Sequence, residues 1–261
     1  MYPYDIVFGL DLYDMMLAVG FVGALVFFRF WADRRNFSAG LQNLCIVGGL
    51  VGIIGGYGTA VLVQAIYNWL DSGVFEVASD TGATFYGGLI GGAVLFLAVY
   101  FGVGVWLLRD GQPQRRFFEL SEIAAGSIAL AHGFGRLGCL FAGCCHGKVT
   151  DAWYGVHNAY LDAKTIPVQL FEALFLFALA AFFAWRLYRG RRGNLGFYLI
   201  GYAVWRFVIE YLRTDDRGAT VVSFLSPSQL TAIVLIVVGI GFWCLDATLQ
   251  KRSAKGARDD G

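Results

Sequence analysis

The sequence predicts an all-α integral membrane protein of seven transmembrane helices, with its N-terminus outside and its C-terminus in the cytoplasm. Composition is the first of three observations behind this. Hydrophobic residues make up 57% and charged residues 15% of the 261 positions, against roughly 25% charged in soluble domains. The second is a series of seven apolar stretches, 12–28, 44–67, 85–108, 120–141, 168–187, 195–212 and 230–249, each at or near the roughly 20 residues that span a bilayer. The third is the alternation of basic residues between them. Fourteen Lys and Arg fall on the flanks assigned to the cytoplasm, and only Lys148, Lys164, Arg213 and Arg217 fall on the other side. That asymmetry sets the orientation by the positive-inside rule.

Residues 1–250 therefore read as a single seven-helix domain, and 251–261 as a charged, unstructured cytoplasmic tail. The amino-terminal run lacks the basic region and small-residue cleavage site of a signal peptide, so the first helix is expected to be retained. Trp31, Trp69, Trp106, Trp185 and Trp243 fall near helix ends, where an aromatic belt places them; Trp205 does not. With a net charge of +1 and no basic patch with interleaved aromatics, nucleic acid is not an expected partner.

In chain order, the second stretch is lined by Gly48, Gly49, Gly52, Gly55, Gly56 and Gly58, the pattern of small-residue helix packing. The third opens with Tyr86, Gly87 and Gly88. Glycines at a helix start on the outer side can also offer backbone N–H groups to a phosphate. The fourth is the most polar and organises the rest, because AHGFGRLGCLFAGCCHGK, 131–148, sets polar chemistry inside apolar sequence. A charge at the bilayer centre costs at least about 2.5 to 3.5 kcal/mol, so Arg136 must face the bundle interior and meet an anion. His132, Arg136 and Cys139 recur at i, i+4 and i+7 and share one helical face.

After that helix, 143–167 reads as an outer, lid-like segment. In the sixth stretch Tyr202, Arg206, Glu210 and Arg213 form one polar stripe that must turn inward. Its plainer reading is an internal Arg206–Glu210 ion pair that joins helices. Arg136 and Arg206 both lie toward the outer side, which predicts a shared cationic site there.

Several motifs in order along nearly the whole chain resemble those of the bacterial prolipoprotein diacylglyceryl transferases. Tyr13 with Met15 and Met16 is similar to the first-helix YGLM motif, FYGGLIGG (85–92) to HGGLIG, and GRLG (135–138) to the start of the family signature. PVQLFEAL (167–174) is similar to PxQLYEAL, YAVWRFVIEYLRTDD (202–216) to YxxxRfxxExxRxPD, and Ser228 and Gln229 to SxGQ. The resemblance implies a multi-pass enzyme of the bacterial inner membrane. It would move a diacylglyceryl group from phosphatidylglycerol to the lipobox cysteine of a secreted prolipoprotein, and it implies no cofactor. Arg136, Arg206, Tyr86, His132 and Glu210 are then the candidate catalytic residues. Tyr13, Gly87, Gly88, Cys139, Gly143, Cys144, Gln169, Glu172, Tyr202 and Arg213 are the candidate substrate-binding residues. Guanidinium groups suit a phosphate because they bind its oxygens bidentately. Tyr86, His132 and His146 all remain open as the base.

The chain departs from the family where GNFxNGE is expected and GCLFAGCC stands, with Cys139 at the asparagine and Cys144 at the glutamate; Tyr86 replaces the histidine of the HGG segment. Three readings of the cysteines compete: a metal site of Cys139, Cys144, Cys145 and His146, an outer-face disulfide, or a reactive thiol in place of the missing glutamate and asparagine, with Cys139 and Cys144 lining the lipid site near Arg136. Adjacent Cys144 and Cys145 do not easily point at one ion, so lining is favoured and no metal is expected. A related protein that binds lipid, or acts on another acceptor, without lipoprotein transfer is the alternative function. A transporter is disfavoured by the lack of an internal repeat, and a retinal-type receptor by the lack of a lysine within a helix.

The orientation is testable by itself. A tag after Gly261 is expected to resist external protease in intact spheroplasts, and a cysteine at Asp80 to react with an impermeant thiol reagent; the opposite pattern reverses the topology.

Overall fold

The computed structural model describes residues 9–73, 75–78, 81–108, 111–213 and 226–259. Asp80, Arg109, Arg217 and residues 214–216 at the end of the sixth-helix motif lie outside them. The helices are α1 (Leu12–Arg34), α2 (Ala39–Ser72), α3 (Phe85–Leu97), α4 (Gly104–Leu107), α5 (Gln112–Ala142), α6 (Val168–Tyr188), α7 (Asn194–Ile209) and α8 (Pro227–Asp259). A π-helical turn, Ala98–Val103, runs α3 into α4, and a 3₁₀ turn, Glu210–Leu212, ends α7. Counting α3 to α4 as one, seven of these helical segments are long and apolar enough to cross a membrane.

Most helices exceed the apolar stretches that announced them, because a hydropathy window stops at charges that a helix carries into the interface on long side chains. α8 continues through the charged run to Asp259, where the composition suggested an unstructured tail. Gln, Lys, Arg and Ala in that run are good helix formers. Residues 143–167 contain a small antiparallel hairpin, β1 (Val156–Asn158) with β2 (Ala163–Thr165). Bridges Gly147 to Arg213 and Val149 to Thr165 tie it down.

The described residues form two compact units, one of the residues up to Trp31 with those from Phe118 onward, the other of Ala32–Phe117. In the first, α5, α6 and α7 share a core of Ala125, Ala129, Leu176, Ala180, Phe183 and Tyr198. α1 meets α5 where a Cβ on Gly20 would lie 2.9 Å from the Phe134 Cβ. α8 meets α7 where a Cβ on Gly196 would lie 3.3 Å from the Gly239 carbonyl. At the amino end of α7, Glu122 of α5 accepts the Gly193 and Asn194 amides, each at 2.7 Å, and so caps the helix from a neighbouring element. Arg186 donates to Asn194 Oδ1 at 2.7 Å and lies over the Phe197 ring.

The second unit is built on a glycine seam between α2 and α3. A Cβ on Gly56 would lie 2.9 Å from the Gly88 carbonyl, and one on Gly92 2.7 Å from the Gly52 carbonyl. Thr59 Oγ1 donates to the Gly87 carbonyl at 3.0 Å, and Thr84 Oγ1 to Gln64 Oε1 at 2.8 Å. At the π turn, Tyr100 is fully buried and its hydroxyl donates to the Pro113 carbonyl at 2.9 Å.

Gly56→Val is expected to cost about 1 to 3 kcal/mol by overpacking this seam, read as a lower midpoint of thermal unfolding in detergent. Gly58→Val, with nothing within 4 Å of its Cβ position, is the control that stays near wild type.

Candidate functional site

The site residues of the first unit gather at one end of its helices, namely the last turns of α5 and α7 and the first turns of α1, α6 and α8. Glu172, fully buried on α6, is the hub. Its Oε1 lies 3.1 Å from Arg136 Nε and accepts the Tyr202 hydroxyl at 2.8 Å. Arg136 Nη2 donates to the same Tyr202 hydroxyl at 3.4 Å. The anion that Arg136 demanded is thus a carboxylate of the neighbouring helix. His132 joins from one turn earlier, with Nδ1 3.1 Å from the Tyr198 hydroxyl and its ring edge-on to Tyr202, centroids 4.8 Å apart. The shared face of His132 and Arg136 is therefore turned onto α7.

A second ion cluster follows on the same stripe of α7. Arg206 Nη2 lies 3.0 Å from Glu210 Oε2 and 2.9 Å from Ser228 Oγ of α8. Arg213 Nε stands 3.9 Å from Glu210 Oε2. Ser226 Oγ donates to Glu210 Oε1 at 2.8 Å. Ser226 also caps α8 by a reciprocal box, accepting the Gln229 amide at 3.2 Å while its own amide donates to Gln229 Oε1 at 3.0 Å. Arg206 feels the Glu172 charge as well, which joins the two clusters electrostatically. Arg136, Arg206 and Arg213 against Glu172 and Glu210 leave one net positive charge.

The chain after α5 closes over this end. Gly143, at φ +78°, ends the helix in the left-handed conformation that glycine takes without strain. Its carbonyl accepts Asn158 Nδ2 at 3.0 Å, and the Cys144 carbonyl accepts Gln169 Nε2 at 2.6 Å. Cys145 is left-handed too, at φ +57°. That turn defeats the objection from adjacency, for the Sγ atoms of Cys139, Cys144 and Cys145 all lie within 4.8 Å of one another. No disulfide joins the three thiols. Hydrogen bonds with the Cys139 and Cys144 thiols, and then Arg213, hold the Cys145 thiol below its ordinary range. Tyr13 lies against Gly138, whose Cβ would be 2.9 Å from the ring, and within electrostatic reach of the three cysteines. His146 Nδ1 is 3.0 Å from the Gly147 carbonyl.

Tyr86, Gly87 and Gly88 belong to the second unit. Tyr86 is 37% exposed. Gly87 and Gly88 serve the helix seam, since their Cβ atoms would lie 2.8 Å from the Val63 Cβ and 3.2 Å from the Ala60 Cβ.

Sequence reasoning missed Asn158, Ser226 and Tyr198 as supports, and missed that Glu172 is the counterion of Arg136. A signal for the last existed: Glu172 is the one acid in its apolar stretch, and an ionisable group there must be paired.

The family model for prolipoprotein diacylglyceryl transferase matches residues 4–245. This chain belongs to that family. It is 34% identical over 251 residues to a phosphatidylglycerol–prolipoprotein diacylglyceryl transferase of Clostridium tetani, covering 92% of this chain and 95% of the relative. It is 30% identical over 244 residues to such a transferase, numbered 2, of Clostridium perfringens, covering 90% and 91%. It is 26% identical over 255 residues to one of Dehalococcoides mccartyi. The family, and the seven membrane-crossing helices, agree with what the motifs and apolar stretches implied.

Removing one member of the Arg136–Glu172 pair strands the other in a buried site. Glu172→Ala is expected to cost about 3 to 5 kcal/mol, read by thermal unfolding in detergent. Arg136→Met combined with Glu172→Ala should cost clearly less than the two single changes added together; simple additivity would show that the pair is not coupled.

Proposed function

We propose that this protein transfers a diacylglyceryl group from phosphatidylglycerol to the cysteine thiol of a lipobox-containing prolipoprotein, at the outer face of the bacterial inner membrane. The observation that carries the reading is the convergence of Arg136, Arg206 and Arg213 on two carboxylates with one positive charge in excess, in a chain matched over nearly its whole length by the transferases. Buried polar capacity supports it. Arg206 Nη1 is a donor, and Glu172 Oε2 and Gln169 Oε1 are acceptors, all buried without hydrogen-bond partners among the described residues. A glycerol phosphate headgroup, with phosphate oxygens that accept and hydroxyls that donate, answers both needs.

In this reading the acceptor sulfur forms a bond to the terminal glyceryl carbon while the bond from that carbon to the phosphate oxygen breaks. Glycerol phosphate leaves with the electron pair and takes up the thiol proton. Charge grows on the leaving phosphate, and Arg136 and Arg206 stabilise it in a site shielded from water. Glu172, Tyr202 and Glu210 act as positioning residues that hold the guanidinium groups in place. Trp153, 92% exposed in the segment after α5, and Tyr160, 70% exposed, suit the membrane interface beside which an acceptor arrives.

Incubation with labelled phosphatidylglycerol and a lipobox peptide, followed by mass spectrometry, tests the reading. The wild type should add a diacylglyceryl mass to the peptide cysteine; lipid binding without that mass identifies the alternative. Arg136→Ala and Arg206→Ala should each lower transfer about 10²- to 10³-fold while the protein still inserts in the membrane. Lysine at either position should recover little, because it loses the bidentate geometry. Full activity in either alanine variant removes the phosphate assignment.

A further inference from the structure

The transfer just described needs a deprotonated thiol, and the candidate bases of the first unit each turn Nδ1 to a protein partner, His132 to the Tyr198 hydroxyl and His146 to the Gly147 carbonyl. Three other polarisable groups stand at the same end. Cys139, on the last turn of α5, and Cys144 and Cys145, on the loop after it, bring their Sγ atoms within 4.8 Å of one another. Neighbours in a chain ordinarily point apart. Here the left-handed Cys145, at φ +57°, a conformation that non-glycine residues rarely adopt, accompanies loop thiols that both lie close to Cys139.

The loop is held in that shape from outside. Asn158 and Gln169, both fully buried, spend their amide groups on the carbonyls of Gly143 and Cys144. A tetrahedral zinc ion with Zn–S bonds of about 2.3 Å sets its sulfurs about 3.8 Å apart. Sulfurs already within 4.8 Å close to that spacing by small side-chain rotations. No histidine or carboxylate among the described residues completes the cluster. Structural zinc sites are closed by four protein ligands, whereas three protein ligands leave a position for substrate. Cys144 is exposed, so the cluster is open to an incoming group.

We propose that Cys139, Cys144 and Cys145 bind zinc as three thiolate ligands and that its fourth position takes the acceptor thiol. The acceptor's part rests on the transfer reading above. A coordinated thiol is deprotonated outright, so the site supplies the nucleophile without a protein base. The thiol proton passes to solvent when the sulfur coordinates. A sulfur electron pair then forms the bond to the glyceryl carbon, the carbon–oxygen bond to phosphate breaks, and glycerol phosphate leaves and is protonated from solvent. Zinc keeps its oxidation state throughout. Arg136, one turn before Cys139, and Arg213, in contact with Cys145, offset the excess negative charge of a zinc tris-thiolate.

The test is made on the full chain, purified in detergent with a non-chelating reductant and zinc, with metal content measured by mass spectrometry and ligation by X-ray absorption. The expected result is one zinc per chain with sulfur ligation. Serine at Cys139, Cys144 or Cys145 should weaken zinc binding by at least about 10- to 100-fold, while Cys45→Ser and Cys244→Ser leave it unchanged. Far-ultraviolet helicity monitors folding in every variant. Cobalt in place of zinc should give a thiolate-to-metal charge-transfer band that the same three variants abolish. Zinc-free protein whose reduced thiols do not take up added zinc, or serine variants that bind as well as wild type, overturns the site. Full transfer by zinc-free protein overturns the acceptor's part. Zinc-loaded protein that performs no transfer at all leaves the metal site standing and overturns the transfer reading instead.

Discussion

The ion pair between Arg136 and Glu172 is the constraint on which this end of the molecule depends. Each charge alone would be untenable at this depth, and each is tolerated because the other is 3.1 Å away. The pair also recruits what surrounds it. Tyr202 bridges the two charges, Tyr202 stacks on Tyr198, and Tyr198 holds His132. Helices α5, α6 and α7 are therefore locked by polar contacts at the level of the proposed headgroup site. A buried pair contributes little net stability against an apolar replacement. Its presence is better explained by chemistry than by folding.

Function and packing divide the glycines of this chain between them. Those of α2 and α3 let backbones approach to contact, as the carbonyls of Gly52 and Gly88 demonstrate. Gly143 and Gly147 do something different. The first ends α5 at positive φ, and the second passes between the Ile166 and Leu212 carbonyls, where a Cβ would come to 2.8 Å of both. The turn at Gly143 and the close fit at Gly147 hold the two ends of the cysteine loop.

Much of the fold was legible because a bilayer demands long apolar runs and because charges inside them are conspicuous. Arg136 and Arg206 could be picked out as site residues on cost alone, and the need of Arg136 for an anion was legible with them. Which anion was not, since Glu172 meets Arg136 only through the packing of α6 on α5, and nothing local encodes that adjacency. Glu172 and Gln169 entered through resemblance alone. The cysteines show the other limit: their convergence depends on a left-handed backbone at Cys145 and on the Asn158 and Gln169 amides, 15 and 25 residues away from the carbonyls they hold and brought there only by tertiary contact. Gly87 and Gly88 illustrate an ambiguity of type, because the same residue that could bare its amide to phosphate also permits helix contact, and here the contact is what the structure displays.

The capping of α7 by Glu122 has a mechanical consequence. Glu122 meets Asn194 across 72 positions of sequence, and further along the same two helices His132 meets Tyr198, and Arg136 meets Tyr202, each across 66. The offset changes from 72 to 66 between the first contact and the other two, so Glu122 acts as a pin at one end of the pair while the run from His132 to Arg136 holds the helices in step at the other. At 1.5 Å per residue, Arg136 stands about 21 Å along α5 from that pin. The two ends of the α5–α7 pair are thereby tied separately, and the arginine site lies at the end away from the Glu122 pin.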